Sequence, residues 1–324
     1  MNRLFLSRRL ALAFGLAFAA IAHAQTFPSK PLKLVVPFGP GGSSDVVARI
    51  VAEGAGEALG QPMLIENVPG AGGNIGTARV AKAAPDGYTL VECTIGTCAI
   101  NPSIYAQTGY DLQKDFAPVF LVGGVMNIFT VHPSMPVKSI AELVAYIKAN
   151  PGKLPVAIGA VGSSNHLTPV WFASIAGLDM LYVPFKGAGD AITALLGGQV
   201  MMFVDNEPSI LPQIKSGKAR PLAVTGPRRS AYLPDVATME ELGYKGFVVE
   251  PWYGFMVPQG TPRAAIERLN AAFNAAIRNP RVKARLEEAG LRLIGGAPER
   301  LGEQIRGESE RWAKVVKANN VKVE

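Results

Sequence analysis

The feature that most limits how this chain can fold is a recurring unit of strand, glycine-rich turn and helix. In the clearest unit, Leu32–Gly60, "LKLVVPF" leads into "GPGGSS" and then into a helix whose apolar residues recur with a period of 3.6. A second unit joins "PMLIENV" to "PGAGGN" and a helix from Ile75 to Ala83. Short strands rich in Val, Ile and Leu are typical of a largely parallel sheet covered by helices, so the sequence predicts an α/β fold.

The same order of elements restarts from about Pro136. Ser139, with Glu142 three residues later, predicts the capped start of a helix, and two further strands each end in a glycine-containing loop. The stretch "VVPFGPGGSSD" at residues 35–45 has a partial copy, "YVPFKGAGD", at residues 182–190. We therefore predict two similar α/β halves, each presenting strand–loop–helix corners.

The apolar stretches between the two halves predict how the chain passes from one to the other. A strand near Val125–Val131 would cross into the second half, and Phe247–Pro258 would return to the first, where the C-terminal helices would pack. The predicted boundaries are residues 25–126 plus 249–324 for the first lobe and 127–248 for the second. Two crossings make a hinge, and a hinged cleft is a common ligand site.

The N-terminus has the pattern of a secretory signal peptide. Arginines at positions 3, 8 and 9 precede an apolar run, Leu10–Ala22, and residues 22–24 fit a small-x-small cleavage site. The apolar run is short for a membrane anchor, the alternative interpretation, so we predict export and cleavage near Ala24. Without Met1–Ala24 the chain keeps 29 basic and 25 acidic residues, a net charge of +4 without dense basic runs. We therefore expect no nucleic-acid partner.

Four loops follow predicted strands and precede helices: Gly39–Ser44, Gly70–Asn74, Gly162–Asn165 and Lys186–Gly189. In open α/β sheets, ligands bind beyond the carboxyl ends of the strands, and free N–H groups at helix N-termini favour anions. Each loop alone is also compatible with an ordinary turn, but the four together predict a carboxylate site. An acid in the first loop would by itself repel an anion. Asp45 and Arg49 are spaced i,i+4, however, and we predict that this pair supports the loop rather than contacting the ligand.

Enzymatic interpretations have weaker support. "GAGGNIG" is close to the dinucleotide-binding fingerprint, with Glu92 twenty residues beyond Gly72, but Ile75 occupies the place of the third glycine. The sequence has no G-x-S-x-G, H-E-x-x-H or Walker A motif, which leaves His166 beside two serines as the best candidate for an exported hydrolase. We expect no cofactor and no metal site. Cys93 and Cys98 either form a disulfide or act as two small apolar residues at a strand end.

Several spaced motifs resemble the Bug-type periplasmic receptors, the substrate-binding proteins of tripartite tricarboxylate transporters. They include "VPFGPGGSSDVVAR" at 36–49, "ENVPGAGGNIG" at 66–76, "APDGYTL" at 84–90, "GSSNHL" at 162–167 and "VPFKGAGDAITALLGGQV" at 183–200. The resemblance implies a Venus-flytrap fold with a ligand cleft between two Rossmann-like lobes. It also implies a monomeric periplasmic protein that captures a di- or tricarboxylate, amino acid or aromatic carboxylate for integral membrane subunits. A receptor feeding a two-component sensor is the alternative within the same class.

The resemblance also implies which residues hold the ligand. In the first lobe they are Phe38, Pro40, Gly41, Gly42, Ser43, Gly72, Gly73, Asn74 and Thr97. In the second lobe they are Ser163, Ser164, Asn165, His166, Lys186, Gly187 and Asp205. The implied grip uses mainly backbone N–H groups and water, and Cys98 lies close enough to this stretch to influence specificity.

Overall fold

The computed structural model describes residues 27–318, so the predicted signal peptide lies outside the described residues. Eleven strands are described: β1 (Leu32–Val36), β2 (Met63–Asn67), β3 (Thr89–Thr94), β4 (Phe116–Gly124), β5 (Asn127–Val131), β6 (Pro155–Ile158), β7 (Leu181–Pro184), β8 (Met202–Asn206), β9 (Arg220–Val224), β10 (Trp252–Pro258) and β11 (Arg292–Leu293). They form two sheets, one in each lobe of a two-lobed α/β molecule.

Ten α-helices are described over the same residues: α1 (Ser43–Leu59), α2 (Asn74–Ala81), α3 (Asn101–Ile104), α4 (Ile140–Ala149), α5 (Ser164–Ala176), α6 (Ala188–Leu196), α7 (Glu207–Lys215), α8 (Arg263–Arg278), α9 (Pro280–Glu288) and α10 (Glu299–Ala318). A short 3₁₀ turn covers Ala71–Gly73, and a π-helical turn covers Gly96–Ile100. No helix among residues 27–318 combines the length and apolar character needed to cross a membrane.

Local chemistry explains where several helices begin and end. The Ser139 side chain accepts a hydrogen bond from the Glu142 amide, which confirms Ser139 as the predicted N-cap. The Glu142 carboxylate accepts from the Lys138 amide, one residue before the Ser139 amide that a capping box would use. Helix α1 ends at Gly60, whose φ of 73° lies in the left-handed region that a glycine enters at little cost.

The first sheet has the strand order β11-β4-β10-β3-β1-β2. Strand β1 pairs in parallel with β2 and β3, whereas β10 runs antiparallel to β3 and β4. The sheet is therefore mixed rather than largely parallel, because the returning strand β10 enters it in the opposite direction. Helices α1 and α8 cover one face, where Phe273 packs on Phe120 and Phe255 with ring centroids 5.4 and 4.7 Å apart.

The second sheet has the order β7-β6-β8-β5-β9. The chain enters it through Val125 and Met126, between β4 and β5, and leaves it through residues 225–251, between β9 and β10. In each sheet, several strands deliver their carboxyl ends and the following helix N-termini to the side that faces the other lobe.

Candidate functional site

A small cavity of about 40 Å³ lies between the two lobes. Its first-lobe lining comprises Phe38, Gly39, Gly42, Ser43, Ser44, Thr94, Ile95, Gly96, Pro251, Trp252 and Tyr253. Its second-lobe lining comprises Gly159, Ala160, Ser163, Ser164, Asn165, Ala188 and Asn206. No lysine, arginine or histidine is among these residues, so any charge placed here meets backbone and side-chain dipoles rather than a cation.

Four helices begin at this cavity. Gly42, Ser163 and Asn206, which precede α1, α5 and α7, line it, and so does Ala188, the first residue of α6. None of the four helices has a side-chain hydrogen bond from its N-cap residue. The positive ends of four helix dipoles therefore converge on one point, which is a favourable place for an anion. Helix α7 contributes only its dipole, because Glu207 N–H donates to the Met126 carbonyl, Ser209 N–H donates to Ser43 Oγ and Pro208 has no N–H.

The first loop is held by a buried carboxylate behind it. Asp45 accepts hydrogen bonds from the Gly41 amide at 3.1 Å, from Arg49 Nε at 3.0 Å and from Asn67 Nδ2 at 3.0 Å. Asn67 also donates to the Phe38 carbonyl at 3.0 Å. Burial opposes the charge of Asp45, but these hydrogen bonds outweigh it and hold its pKa below the usual value. Neither Asp45 nor Arg49 lines the cavity, and their ion pair fixes the backbone that does.

On the second lobe, Asp205 supports the cavity wall from behind, as Asp45 does on the first lobe. It is fully buried; its Oδ1 accepts from Asn165 Nδ2 at 2.6 Å and its Oδ2 from Ser209 Oγ at 2.6 Å. Burial raises the pKa of Asp205 to about 6, although both hydrogen bonds favour the ionised form. Asp205 does not line the cavity itself, and instead orients Asn165, which does.

The lobes touch on both sides of the cavity, so the structure is a closed form. Ser43 Oγ and Ser209 Oγ lie 2.7 Å apart, and Tyr105 donates from its hydroxyl to the Val161 carbonyl at 3.1 Å. The loop before α1 also packs directly on the start of α6, where a Cβ added to Gly189 would lie 2.6 Å from the Pro40 carbonyl oxygen. Small residues thus let the two backbones approach.

Ten residues of the predicted site lie outside the cavity in this closed form: Pro40, Gly41, Gly72, Gly73, Asn74, Thr97, His166, Lys186, Gly187 and Asp205. Gly72 instead contacts the other lobe, since a Cβ there would lie 2.2 Å from the Val161 carbonyl oxygen. Asn74 Oδ1 accepts from Asn101 Nδ2 at 2.7 Å, which keeps the loop before α2 in place. The second predicted loop therefore borders the contact between the lobes, and α7 takes its place at the cavity.

His166 and Lys186, two of these ten residues, have side chains that do not point to a charged ligand contact: one supports its own loop and the other is exposed to solvent. His166 Nδ1 accepts from the Gly162 amide at 3.2 Å, and burial lowers the pKa of His166 to about 4, so the ring is neutral. It stabilises the loop before α5 and is not placed as a charged donor. The Lys186 side chain is exposed to solvent, while its loop packs against Gly39.

Sequence reasoning missed the residues that follow β3 and those at the start of β10. Thr94, Ile95 and Gly96 lie at the end of β3. The glycine in this turn could have indicated a ligand-binding loop, but the apolar residues around it have the pattern of a continuing strand. Trp252 and Tyr253 are as suited by type to packing as to ligand contact, and both line the cavity. The indole N–H of Trp252 is buried and has no hydrogen-bond partner within residues 27–318, so it is a free donor at the cavity wall.

The structure joins Cys93 and Cys98 in a disulfide, with Cα atoms 5.8 Å apart and both side chains fully buried. The sharp turn that this requires leads from β3 into the π-helical turn, and the Thr94 amide at the end of β3 donates to Thr97 Oγ1 at 3.1 Å. Three residues enclosed by the disulfide line the cavity, so the bridge fixes one wall of the site.

Replacing both cysteines by serine should destabilise the protein and weaken the site. A loop this short predicts a loss of about 2 kcal/mol in the free energy of unfolding, which urea titration measures. Ligand affinity should fall in parallel, because residues 94–96 lose their restraint. Reductant should lower the stability of the unmodified protein towards that of the double variant and leave the variant unchanged. Equal stability of both proteins without reductant would show that the bridge contributes nothing.

Comparison with known proteins identifies the family. The family model described as "Tripartite tricarboxylate transporter family receptor" matches residues 47–321 of the sequence. The chain belongs to this family. The periplasmic binding protein BugD is similar to it, with a TM-score of 0.89 and 35% identity over 92% of this chain and all of the solved chain. The Bug-type resemblance and the two-lobed periplasmic-binding-protein fold are thereby confirmed.

Two further solved relatives contain carboxylates. A protein of R. palustris solved with adipate has a TM-score of 0.89 and 35% identity, covering 91% of this chain and 99% of that one. MatC from Rhodopseudomonas palustris, with bound malate, has a TM-score of 0.86 and 34% identity, covering 90% of this chain and 100% of that one. Membership of this family makes the protein a transporter receptor rather than an enzyme. No cluster of three or more metal-ligating side chains occurs among the residues described.

Proposed function

We propose that the protein binds a small aliphatic carboxylate in the periplasm and delivers it to the integral membrane subunits of a tripartite tricarboxylate transporter. The ligand lies in the cleft between the lobes, with a carboxylate group at the N-termini of α1 and α5. The observation that carries this proposal is the convergence of four helix N-termini on one cavity whose lining includes no cationic side chain. Dipoles arranged in this way stabilise an anion without a cationic side chain.

The aromatic lining of the cavity and the ligands of two relatives support an aliphatic rather than an aromatic ligand. A buried water needs roughly 10–15 Å³ of comparable cavity space, so the closed cavity of about 40 Å³ holds fewer atoms than adipate or malate has, and the lobes would lie further apart around either acid than they do here. Phe38, Trp252 and Tyr253 already fill part of the cleft and leave little room for another ring. The relatives solved with adipate and malate contain aliphatic dicarboxylates, which agrees with this choice.

The two passages between the sheets, at Val125–Met126 and at residues 225–251, are the proposed hinge. The proposed first lobe comprises residues 25–126 and 249–324, and the proposed second lobe residues 127–248. Rotation about these two segments would separate Ser43 from Ser209 and open the cavity to solvent. Ligand binding would then favour the closed form, because only that form brings all four helix N-termini together.

A thermal-shift and calorimetry panel tests the proposal. It contains adipate, malate, citrate, glutamate and benzoate, with the diamides of adipate and malate as matched neutral controls. An acid that binds should add about 2.7 kcal/mol of stability at a free concentration of 100 times Kd. Its amide should bind roughly 1–3 kcal/mol more weakly, because the helix N–H groups lose a charged acceptor.

Equal affinity for acid and amide would contradict the carboxylate site. Binding of benzoate in preference to every aliphatic acid would contradict the choice of ligand class. Chromatography of each ligand after incubation should recover it unchanged, since a receptor performs no turnover.

A further inference from the structure

A buried acid beneath the cavity has no role in the function proposed so far. Glu92 lies in β3, its side chain is fully buried, and neither of its carboxyl oxygens has a hydrogen-bond partner among residues 27–318. Alternation along the strand places Glu92 on the same side as Thr94, which lines the cavity. Burying a polar group without a partner is costly, so this position calls for an explanation.

Glu92 faces two elements of the cavity wall. Strand register pairs Glu92 with Phe255 and Thr94 with Tyr253 on β10, and Ser44 and Asp45 on α1 are close enough to influence the pKa of Glu92. Ser44 and Tyr253 both line the cavity, which places the Glu92 carboxyl directly behind its wall. A Ser44 hydroxyl group in this position can exchange a hydrogen bond with Glu92 on one side and with a ligand on the other.

The charges around Glu92 favour its neutral form. Burial, and to a smaller extent the negative charge of Asp45, raise the pKa of Glu92 well above its usual value, although the Ser44 hydroxyl favours the ionised form. Arg49 is occupied by Asp45. Tyr253 is neutral as well, because burial raises its pKa. Glu92 therefore holds a proton that it can donate.

We propose that Glu92 is a positioning residue: when Ser44 donates its hydroxyl proton to the carboxylate of a bound ligand, the carboxyl O–H of Glu92, which has no partner among residues 27–318 here, donates to Ser44 Oγ and holds the hydroxyl in that direction. This inference rests on the proposed function. The serine hydroxyl has one proton, so its direction depends on what Glu92 offers. A neutral Glu92 leaves that proton for the ligand, whereas an ionised Glu92 attracts it and turns the oxygen lone pairs towards the anion.

Three variants separate this role from simple packing. Glu92→Gln keeps an uncharged donor of nearly the same shape, and Glu92→Met removes the donor. With adipate and malate as probes, Glu92→Gln should bind within about threefold of the unmodified protein, and Glu92→Met roughly tenfold more weakly, the effect of losing one hydrogen bond to a charged group. In a Ser44→Ala background the difference between Glu92→Gln and Glu92→Met should disappear, because the serine transmits the effect.

A pH profile provides a readout that packing alone would not move. Affinity for adipate, measured from pH 7.5 to pH 10, where adipate and Asp205 are already ionised, should fall at alkaline pH in the unmodified protein and stay level in Glu92→Gln over the same range. Glu66→Gln is the matched control: Glu66 is a paired carboxylate at the edge of the same lobe, away from the cavity, and its variant should follow the unmodified profile.

Three results would overturn the inference while leaving the proposed function intact. They are unchanged affinity in Glu92→Met, additive effects of Glu92→Met and Ser44→Ala, and identical pH profiles for the unmodified protein and Glu92→Gln. Failure of the unmodified protein to bind any acid of the panel would instead refute the proposed function. If Glu92→Met does not fold, the pH comparison alone decides between the outcomes.

Discussion

Replacing Gly189 by alanine should leave the protein folded while sharply weakening its affinity for a carboxylate. Gly189 lies in the first turn of α6, and a Cβ there would come within 2.6 Å of the Pro40 carbonyl oxygen in the other lobe. Two backbones meet at this point, so no flexible side chain can move aside. Overpacking of this kind costs roughly 1–3 kcal/mol, which corresponds to a loss of affinity of about 5- to 150-fold if closure accompanies binding.

The same substitution should not destabilise the separate lobes. Alanine is favoured over glycine within a helix by roughly 0.5–1 kcal/mol, so unfolding by urea should show equal or higher stability. Gly307→Ala in α10 is the matched control, because a Cβ there meets nothing within 4 Å. It should gain helix stability and keep its affinity. Unchanged affinity in Gly189→Ala would mean that α6 and the first loop do not come together in the bound state.

The second large effect concerns pH: the free energy of unfolding should decrease as pH rises from about 4.5 to about 7. Burial raises the pKa of Asp205 from 3.8 to about 6 and that of Glu207 from 4.5 to about 7, and it raises the pKa of Glu92 as well. Between these values the folded protein binds more protons than the unfolded chain. Stability is therefore fully present at low pH and is lost as pH rises, by roughly 3 kcal/mol for each of Asp205 and Glu207.

A different group of carboxylates limits stability on the acid side. Hydrogen bonds lower the pKa of Asp45 and Glu66 despite their partial burial, so their contribution is lost when pH falls below about 4. Stability should thus be greatest near pH 4 to 5, which is more acidic than for most proteins.

Urea titrations at pH 4.5, 6 and 7.5 measure this profile. Glu207→Gln keeps an acceptor for the Ser230 hydroxyl and removes one titrating group, so it should reduce the loss of stability between pH 4.5 and 7.5. Glu241→Gln is the control: Glu241 is an exposed carboxylate paired with Arg229 and its pKa is lowered, so the loss should persist. A profile that is level from pH 4.5 to 7.5 in the unmodified protein would contradict the neutral state of the buried acids.

Features that depend on neighbouring residues could be predicted from the sequence. The N-cap at Ser139 and the strand–loop–helix corners depend on residues within a few positions of one another, and the i,i+4 pair of Asp45 and Arg49 was predictable for the same reason. Many spaced motifs together also indicated the family and its two-lobed fold. Six predicted site residues do line the cavity: Phe38, Gly42, Ser43, Ser163, Ser164 and Asn165.

Which corners face the cleft was decided only by the tertiary structure. The loops before α1 and α2 look alike in sequence, but only the first reaches the cavity, while Gly72 in the second lies against Val161 of the other lobe. The order of strands and the approach of the lobes set this difference, and both depend on contacts between residues far apart in the chain. Glu92 is the sharpest case. In sequence Glu92 is an acid near a strand end. Packing of α1 and β10 excludes solvent from it and determines which charges lie nearby. Only that packing leaves its carboxyl buried and without a hydrogen-bond partner among residues 27–318.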